Sequence, residues 1–238
     1  MTSSYTWQKE LVLGSGGNPG LPGPGVNNVF DRDAQKSLAS TSQPHIFVTG
    51  LTYVTPRWGQ NKFVRNVLGD WTVGAILRYA SGQLIGAPGS NNNLFPLIFQ
   101  GTRMNRVPDQ PLFLKDPNCG CIDPRQDLVL NPAAWADAPL GQFGQSAGFY
   151  NDYRWRRQVS ENMSLGRRFT IKERLRFDIR AEFFNLFNRL NLPGPASGNP
   201  SATITRNPQG ELNGGFGFIN SNNVGGQRNG QLVARFEF

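Results

Sequence analysis

In six separate stretches of this chain apolar and polar residues alternate one by one, and between those stretches the alternation stops. The clearest runs from Arg174 to about Asn188. Leu175, Phe177, Ile179, Ala181 and Phe183 make an apolar face, and Arg174, Arg176, Asp178, Arg180 and Glu182 a charged one. A period of two is that of a β-strand, whose successive side chains point to opposite sides. Asp70–Ala80 repeats it, with Trp71, Val73, Ala75, Leu77 and Tyr79 on one side and Thr72, Gly74, Ile76, Arg78 and Ala80 on the other. So does the end of the chain, where Leu232, Ala234, Phe236 and Phe238 alternate with Gln231, Val233, Arg235 and Glu237. Three further stretches carry the pattern on Tyr5, Trp7, Lys9, Leu11 and Leu13, on Phe47, Leu51 and Tyr53, and on Val159, Met163 and Leu165. The pattern predicts strands at about 5–13, 43–55, 70–85, 153–166, 173–188 and 228–238.

The segments between them are long, shorter, very long, short and long in turn. Gly14–Asn28 is dense in Gly, Pro and Asn, and loop character continues to about Ser42. Arg57–Gly69 is a modest connection and Arg167–Glu173 a short turn. Ile85–Asp152, with Asn91-Asn-Asn and prolines recurring from Pro88 to Pro139, reads as irregular, with one short helical turn near Pro132–Ala136. Leu190–Asn229 is again loop, with weak strand character at Ala202–Thr205. Regular alternation of short and long connections is what a strand meander crossing a membrane produces. Trp71 to Tyr79 is eight steps, about 27 Å of strand at roughly 3.3 Å per residue; tilted by about 40°, it covers roughly 20 Å of height. That approaches the apolar band of about 25 Å, flanked by aromatic girdles, of outer-membrane barrels. The expected fold is all-β, an antiparallel up-and-down meander forming the last six or so strands of a transmembrane barrel. Six strands are too few to close one alone, since about eight are needed.

Composition narrows the function classes. The chain has 238 residues, 28 of them glycine and 17 proline, which suits turns and loops rather than a helical bundle. No run approaches the roughly 18 apolar residues of a spanning helix; Val73–Leu77 and Phe95–Phe99 are the longest candidates. Net charge is +8. The arginines are spread along strands and loops rather than gathered in a block interleaved with aromatics, so nucleic-acid binding is not expected. His45 is the single histidine and lies within a strand. Asp178 and Glu182 would sit about 13 Å apart on one strand face, wide for a glycosidase pair, with Arg180 between them. Gly14-Ser-Gly16 and Gly215-Phe-Gly217 lie outside any strand–helix context, so neither reads as a phosphate loop. No enzyme activity, cofactor or metal is expected. Cys119 and Cys121 are two steps apart, a spacing that reads as too tight for a relaxed disulfide, and their oxidation stays open.

Several motifs are similar to those of TonB-dependent outer-membrane receptors of the Oar-like type, which carry a carboxypeptidase-regulatory-like domain. Pro44-His45-Ile-Phe-Val with Thr52-Tyr53-Val-Thr-Pro56 resembles one strand of that group. Gly69-Asp-Trp71 through Arg78-Tyr-Ala-Ser-Gly82 resembles another, and Leu130-Asn-Pro-Ala-Ala-Trp135 with Gly141-Gln-Phe-Gly144 resembles a loop. Arg180-Ala-Glu-Phe-Phe-Asn-Leu-Phe-Asn188 is the most specific match. The resemblance spans nearly the whole chain, in order. It implies a partial receptor barrel over residues 1–238 in the bacterial outer membrane, inactive in transport alone. Met1-Thr-Ser-Ser-Tyr-Thr-Trp has neither a basic nor an apolar leader, so signal peptide and plug are expected to be absent from this chain. The implied partners are outer-membrane lipid, the barrel-assembly machinery, the plug and upstream strands of the receptor, TonB through the missing N-terminal part, and an unidentified bulky nutrient. Leu232, Ala234, Phe236 and Phe238 resemble the terminal assembly signal. The apolar sets on 70–85 and 173–188 would face lipid, and Arg78, Arg174, Arg176, Asp178, Arg180 and Glu182 the lumen. The alternative is a stand-alone surface β-protein whose loops bind an external partner.

Overall fold

The structure is a computed structural model that describes residues 1–13, 27–28, 30–57, 67–92, 94, 102–172, 175–223 and 225–238. Alternation produces the expected strands: β1 (Thr2–Trp7), β2 (His45–Val54), β3 (Trp71–Ala80), β4 (Gln158–Lys172), β5 (Leu175–Phe184) and β6 (Asn229–Glu237). They form one antiparallel sheet in which each strand pairs with its neighbour in sequence. The sheet is open, with β1 and β6 at its edges. The register is regular: Tyr53, Val73, Leu165, Ala181 and Leu232 make a single row across five strands. A slip of one residue would turn every apolar side chain to the other face, so the two-faced pattern fixes this pairing. Val54, Trp71, Lys172 and Leu175 lie at one end of the sheet, and Trp7, His45, Ala80, Gln158, Phe184 and Asn229 at the other.

The strand ends differ from the sequence pattern for local reasons. The first stretch, 5–13, is not one strand. β1 stops at Trp7, and Leu11–Leu13 leaves the sheet to pair with Lys36–Leu38. The Pro44 carbonyl still accepts the Gln8 N–H at 3.1 Å, but proline has no N–H to return, so the ladder ends there. β3 ends at Ala80, short of 85. A Cβ on Gly82 would lie 1.7 Å from the Trp155 carbonyl oxygen, so the chain passes here at a distance only glycine allows. Beyond it Leu84–Gly86 pairs with Phe149–Arg154 instead. The 153–166 stretch also divides: Tyr153 belongs to Phe149–Arg154, while β4 begins at Gln158 and runs on through the expected turn to Lys172. Arg167 and Phe169 continue the alternation opposite Ile179 and Phe177, which extends the hairpin.

The greatest difference lies in the long connections. Ile85–Asp152 is irregular but not loose. Its described residues fold with those of the other two long segments into a packed module at one end of the sheet. Short ladders brace it: Gly89–Ser90 with Thr102–Arg103, Asn105–Arg106 with Trp135–Ala136, and Thr205–Arg206 with Leu212–Gly214. Its core gathers Val129, Leu130, Tyr153 and Ile219, all fully buried, with Trp135, Trp155 and Phe216 beside them. The expected turn appears as a 3₁₀ turn at Pro132–Ala134, where the Asn131 side chain accepts the Ala133 N–H at 3.1 Å. Gly217 has φ of 82°, and a Cβ there would lie 2.5 Å from the Leu130 nitrogen, so this residue lets the third segment close on the second. Asn27 ties in the first: its Oδ1 accepts from the Thr102 hydroxyl and the Arg103 N–H, both at 2.8 Å, and its Nδ2 donates to the Gly144 carbonyl at 2.6 Å. Cys119 and Cys121 form a disulfide with Cα atoms 5.2 Å apart. A two-residue step therefore reaches the usual Cα separation, correcting the expectation that it is too tight.

Two buried polar atoms in the core, Trp135 Nε1 and Tyr153 Oη, have no well-formed hydrogen bond. Burial raises the Tyr153 hydroxyl well above its ordinary pKa, with Trp135 opposing only in part. Removing a buried hydroxyl that makes no well-formed hydrogen bond relieves a desolvation cost. Tyr153→Phe is therefore expected to leave the stability of the module unchanged or to raise it by up to about 1 kcal/mol. Urea unfolding followed by near-ultraviolet circular dichroism checks this. A loss above about 1 kcal/mol would mean that the hydroxyl has a partner.

Candidate functional site: two faces of the sheet and its rim

The register brings the sequence-predicted sets together. Trp71, Val73, Ala75, Leu77 and Tyr79 of β3 lie on the same side as Leu175, Phe177, Ile179, Ala181 and Phe183 of β5 and Leu232, Ala234 and Phe236 of β6. Rings cover much of this face: Phe177 stacks on Phe236 with centroids 4.5 Å apart, and Phe169 lies 6.1 Å from Phe177. At the short-connection end Arg167 lies over Phe169 at 4.6 Å and over Trp71 at 5.8 Å, and its Nη1 donates to the Val67 carbonyl. At the long-connection end the Tyr5 hydroxyl meets His45 Nδ1 at 2.8 Å. Phe238 lies one residue beyond β6, fully exposed at 102% and without a cross-strand partner.

The opposite face is polar. Arg168 clamps Asp178 with two bonds of 2.7 and 3.1 Å across the β4–β5 pair. Arg180 reaches Glu182 at 3.1 Å, Gln231 of β6 also donates to Glu182, and Arg235 reaches Glu237 at 3.4 Å. Arg176 stands opposite Glu237. Arg78 donates to Gln43 Oε1 at 3.0 Å and to Gln158 Oε1 at 3.4 Å, with no carboxylate partner among the described residues. Arg174 lies outside the described residues. Hollows of about 560 and 480 Å³ open over this side. Gly50, Gly74 and Gly166 line them, and a Cβ on Gly74 would lie 2.6 Å from Ser164 Oγ. Residues without side chains let a sheet curve toward their own face. The polar side is thus the one on which these hollows lie.

One feature was not legible beforehand. Glu161 stands opposite Leu77, within the apolar face, yet is only 2% exposed. Its carboxylate accepts from the Tyr79 hydroxyl at 2.9 Å and from Arg189 Nε and Nη2, each at 2.9 Å. Arg189 is brought there by the segment after β5. Asn185 and Asn188 adopt left-handed φ of 50° and 51°, which asparagine tolerates better than most residues. The Asn185 side chain accepts the Arg189 N–H at 2.7 Å and donates to its carbonyl at 2.9 Å. The Phe-Asn-Leu-Phe-Asn segment thus ends β5 by folding back and delivering a cation to the rim. The signal available in the sequence was Glu161 itself, a charge between Val159 and Met163 where alternation calls for an apolar residue.

A family model for the outer membrane beta barrel domain matches residues 1–231. The chain belongs to this outer membrane beta barrel domain family. Comparison with curated proteins and with solved structures gives no match. Membership places the protein in the bacterial outer membrane and accounts for an all-β meander whose module-forming connections share one end. No helix among the described residues is long and apolar enough to cross a membrane, a test that does not bear on barrel strands.

Proposed function

We propose that this outer membrane beta barrel chain supplies wall, lumenal lining and external loops to a TonB-dependent receptor of the Oar-like type that takes up a bulky nutrient. The observation that carries the reading is the two-faced sheet with its long connections packed together at one end. In this reading the face of Trp71, Leu77, Phe177, Phe183 and Leu232 meets lipid. The polar face of Arg78, Arg176, Asp178, Arg180 and Glu182 lines the lumen, and the module lies outside the cell. Six strands curve but do not close, so the wall is completed by further strands of the receptor. TonB acts through a plug that lies elsewhere in the receptor, and this chain alone moves no nutrient. Leu232, Ala234, Phe236 and Phe238 present an aromatic terminal strand to the barrel-assembly machinery, for which an open edge with unpaired backbone groups is a suitable substrate. The packed module favours a second reading, in which the chain is a surface protein that binds a partner without transport. A folded module offers a defined surface where a loose loop would not.

The orientation is tested by reconstituting the chain in bilayers of brominated phospholipid. Emission from Trp71 is expected to be quenched. Trp71→Phe should remove much of the quenching and Trp135→Phe none, because Trp135 is buried in the module. A well-behaved soluble monomer without detergent, or quenching carried by Trp135, would overturn the assignment of the apolar face.

A further inference from the structure

A cavity of about 670 Å³ lies where the polar face of the sheet meets the module. Arg78 and Ser160, cross-strand partners on β3 and β4, form its floor with Gln158. Arg156 and Arg157 enter from the strap joining Phe149–Arg154 to β4, and Asn118 and Gly120 close one wall. Arg189, paired with Glu161, lines another wall, and among the described lining residues none is aspartate or glutamate. Among the described residues Arg78 bonds to the amide oxygens of Gln43 and Gln158 and to no carboxylate. Among the described residues, the Arg156 and Arg157 guanidinium groups have no acidic partner, whereas Arg57, Arg106, Arg125, Arg168, Arg180, Arg189 and Arg235 each have one. Among the described residues Arg154, Arg167 and Arg206 also meet only neutral acceptors, but Arg78, Arg156 and Arg157 are the ones gathered around a single cavity. The cluster is also held in place. The Arg157 N–H donates to the Asn118 side chain at 3.0 Å, and the Cys119–Cys121 bridge follows directly. The Trp155 indole donates to the Leu192 carbonyl at 3.1 Å, fixing the start of the strap against the third long connection. Burial lowers the Arg156 pKa, and the neighbouring Arg157 lowers it further, so an anion would relieve both effects.

We propose that this cavity binds a soluble anionic ligand through carboxylate, sulfate or phosphate oxygens, held by Arg78, Arg156 and Arg157. Guanidinium groups suit such oxygens because their planar N–H donors match two acceptor atoms at once. Gln158, Ser160 and Asn118 add neutral polar groups that orient the ligand. Membrane headgroups are the other source of this chemistry, but the floor of the cavity belongs to the face opposite the apolar one. Placing the site at the lumen mouth rests on the orientation proposed above; its charge does not.

The test is isothermal titration of the full chain in a neutral detergent free of anionic lipid, with inorganic pyrophosphate as the probe and maltose as a neutral control. Pyrophosphate is expected to bind and maltose not. The affinity should fall as salt is raised, since screening weakens exposed charges. Arg156→Gln with Arg157→Gln should weaken binding by about tenfold or more, as two charge-assisted contacts are lost. Arg156→Lys with Arg157→Lys should retain part of it, and Arg235→Gln, at the other end of the same face, should change nothing. Unaltered circular dichroism separates lost binding from lost folding. Equal binding by wild type and the double glutamine variant, or no pyrophosphate binding at millimolar concentration, overturns the proposal. Either result leaves the membrane orientation standing, because brominated-lipid quenching reads a different face.

Discussion

Leu130→Ala is expected to destabilise the module by about 3 kcal/mol, within the usual 2–5 kcal/mol for truncating a buried leucine. Leu130 is 0% exposed and sits in the core that gathers Tyr153, Trp135, Val129 and Ile219. Its neighbours are poorly placed to collapse into the space left. Gly217 already approaches the Leu130 backbone as closely as a residue without Cβ allows, and the Val129 N–H donates to the Gly217 carbonyl at 3.1 Å. Trp135 and Trp155 make the near-ultraviolet signal of this core, so its loss during urea unfolding reports the module while the far-ultraviolet signal follows the strands. The midpoint should fall for the first signal more than for the second. Leu232→Ala provides the contrast, since Leu232 is largely exposed on the sheet face and packs into no core. A shift below about 1 kcal/mol for Leu130→Ala would mean that the long connections do not share a close-packed interior.

Glu161→Ala should also be costly, at about 1–2 kcal/mol, because it removes the shared acceptor of two donors, each of which water reaches only in part. The Tyr79 hydroxyl and the Arg189 fork both point at this carboxylate. Arg189 is 53% exposed in its side chain, so water recovers part of its loss, and the upper range for fully buried pairs does not apply. Glu161→Gln should fall between, since the amide keeps one acceptor and turns a second donor toward Arg189. Thermal unfolding in detergent micelles gives the order wild type, Gln, Ala. A double-mutant cycle with Arg189→Ala should return a coupling of about 1 kcal/mol or more. If Glu161→Ala and Arg189→Ala prove additive, the contact does not hold the segment after β5 against the rim.

The site was partly legible because of what kind of information each part carries. The apolar and polar sets on β3, β5 and β6 are local facts. A strand turns each successive side chain over, so Leu175 to Phe183 define a face before any partner is known. Their register then follows from matching like faces, as Val73, Leu165, Ala181 and Leu232 do. Strand ends depend on contacts from elsewhere in the chain. Gly82 ends β3 because of where Trp155 passes, 73 residues later by the numbering, and alternation contains no trace of that contact. Tyr153 opens the expected 153–166 strand, yet it fills the core of the module.

The sequence by itself determined six two-faced strands, their order in an antiparallel sheet, and through its motifs the likeness to outer-membrane receptors. Those features depend on the period of the backbone and on burying like with like. Only the tertiary structure decided that the Gly-, Pro- and Asn-rich connections pack into a module, that Cys119 bonds Cys121, that Glu161 captures Arg189, and that Arg78 meets Arg156 and Arg157 around one cavity. These contacts join residues far apart in sequence or set by turn geometry, such as Asn27 with Gly144. Without a repeating period, the meeting of such residues is fixed by packing alone.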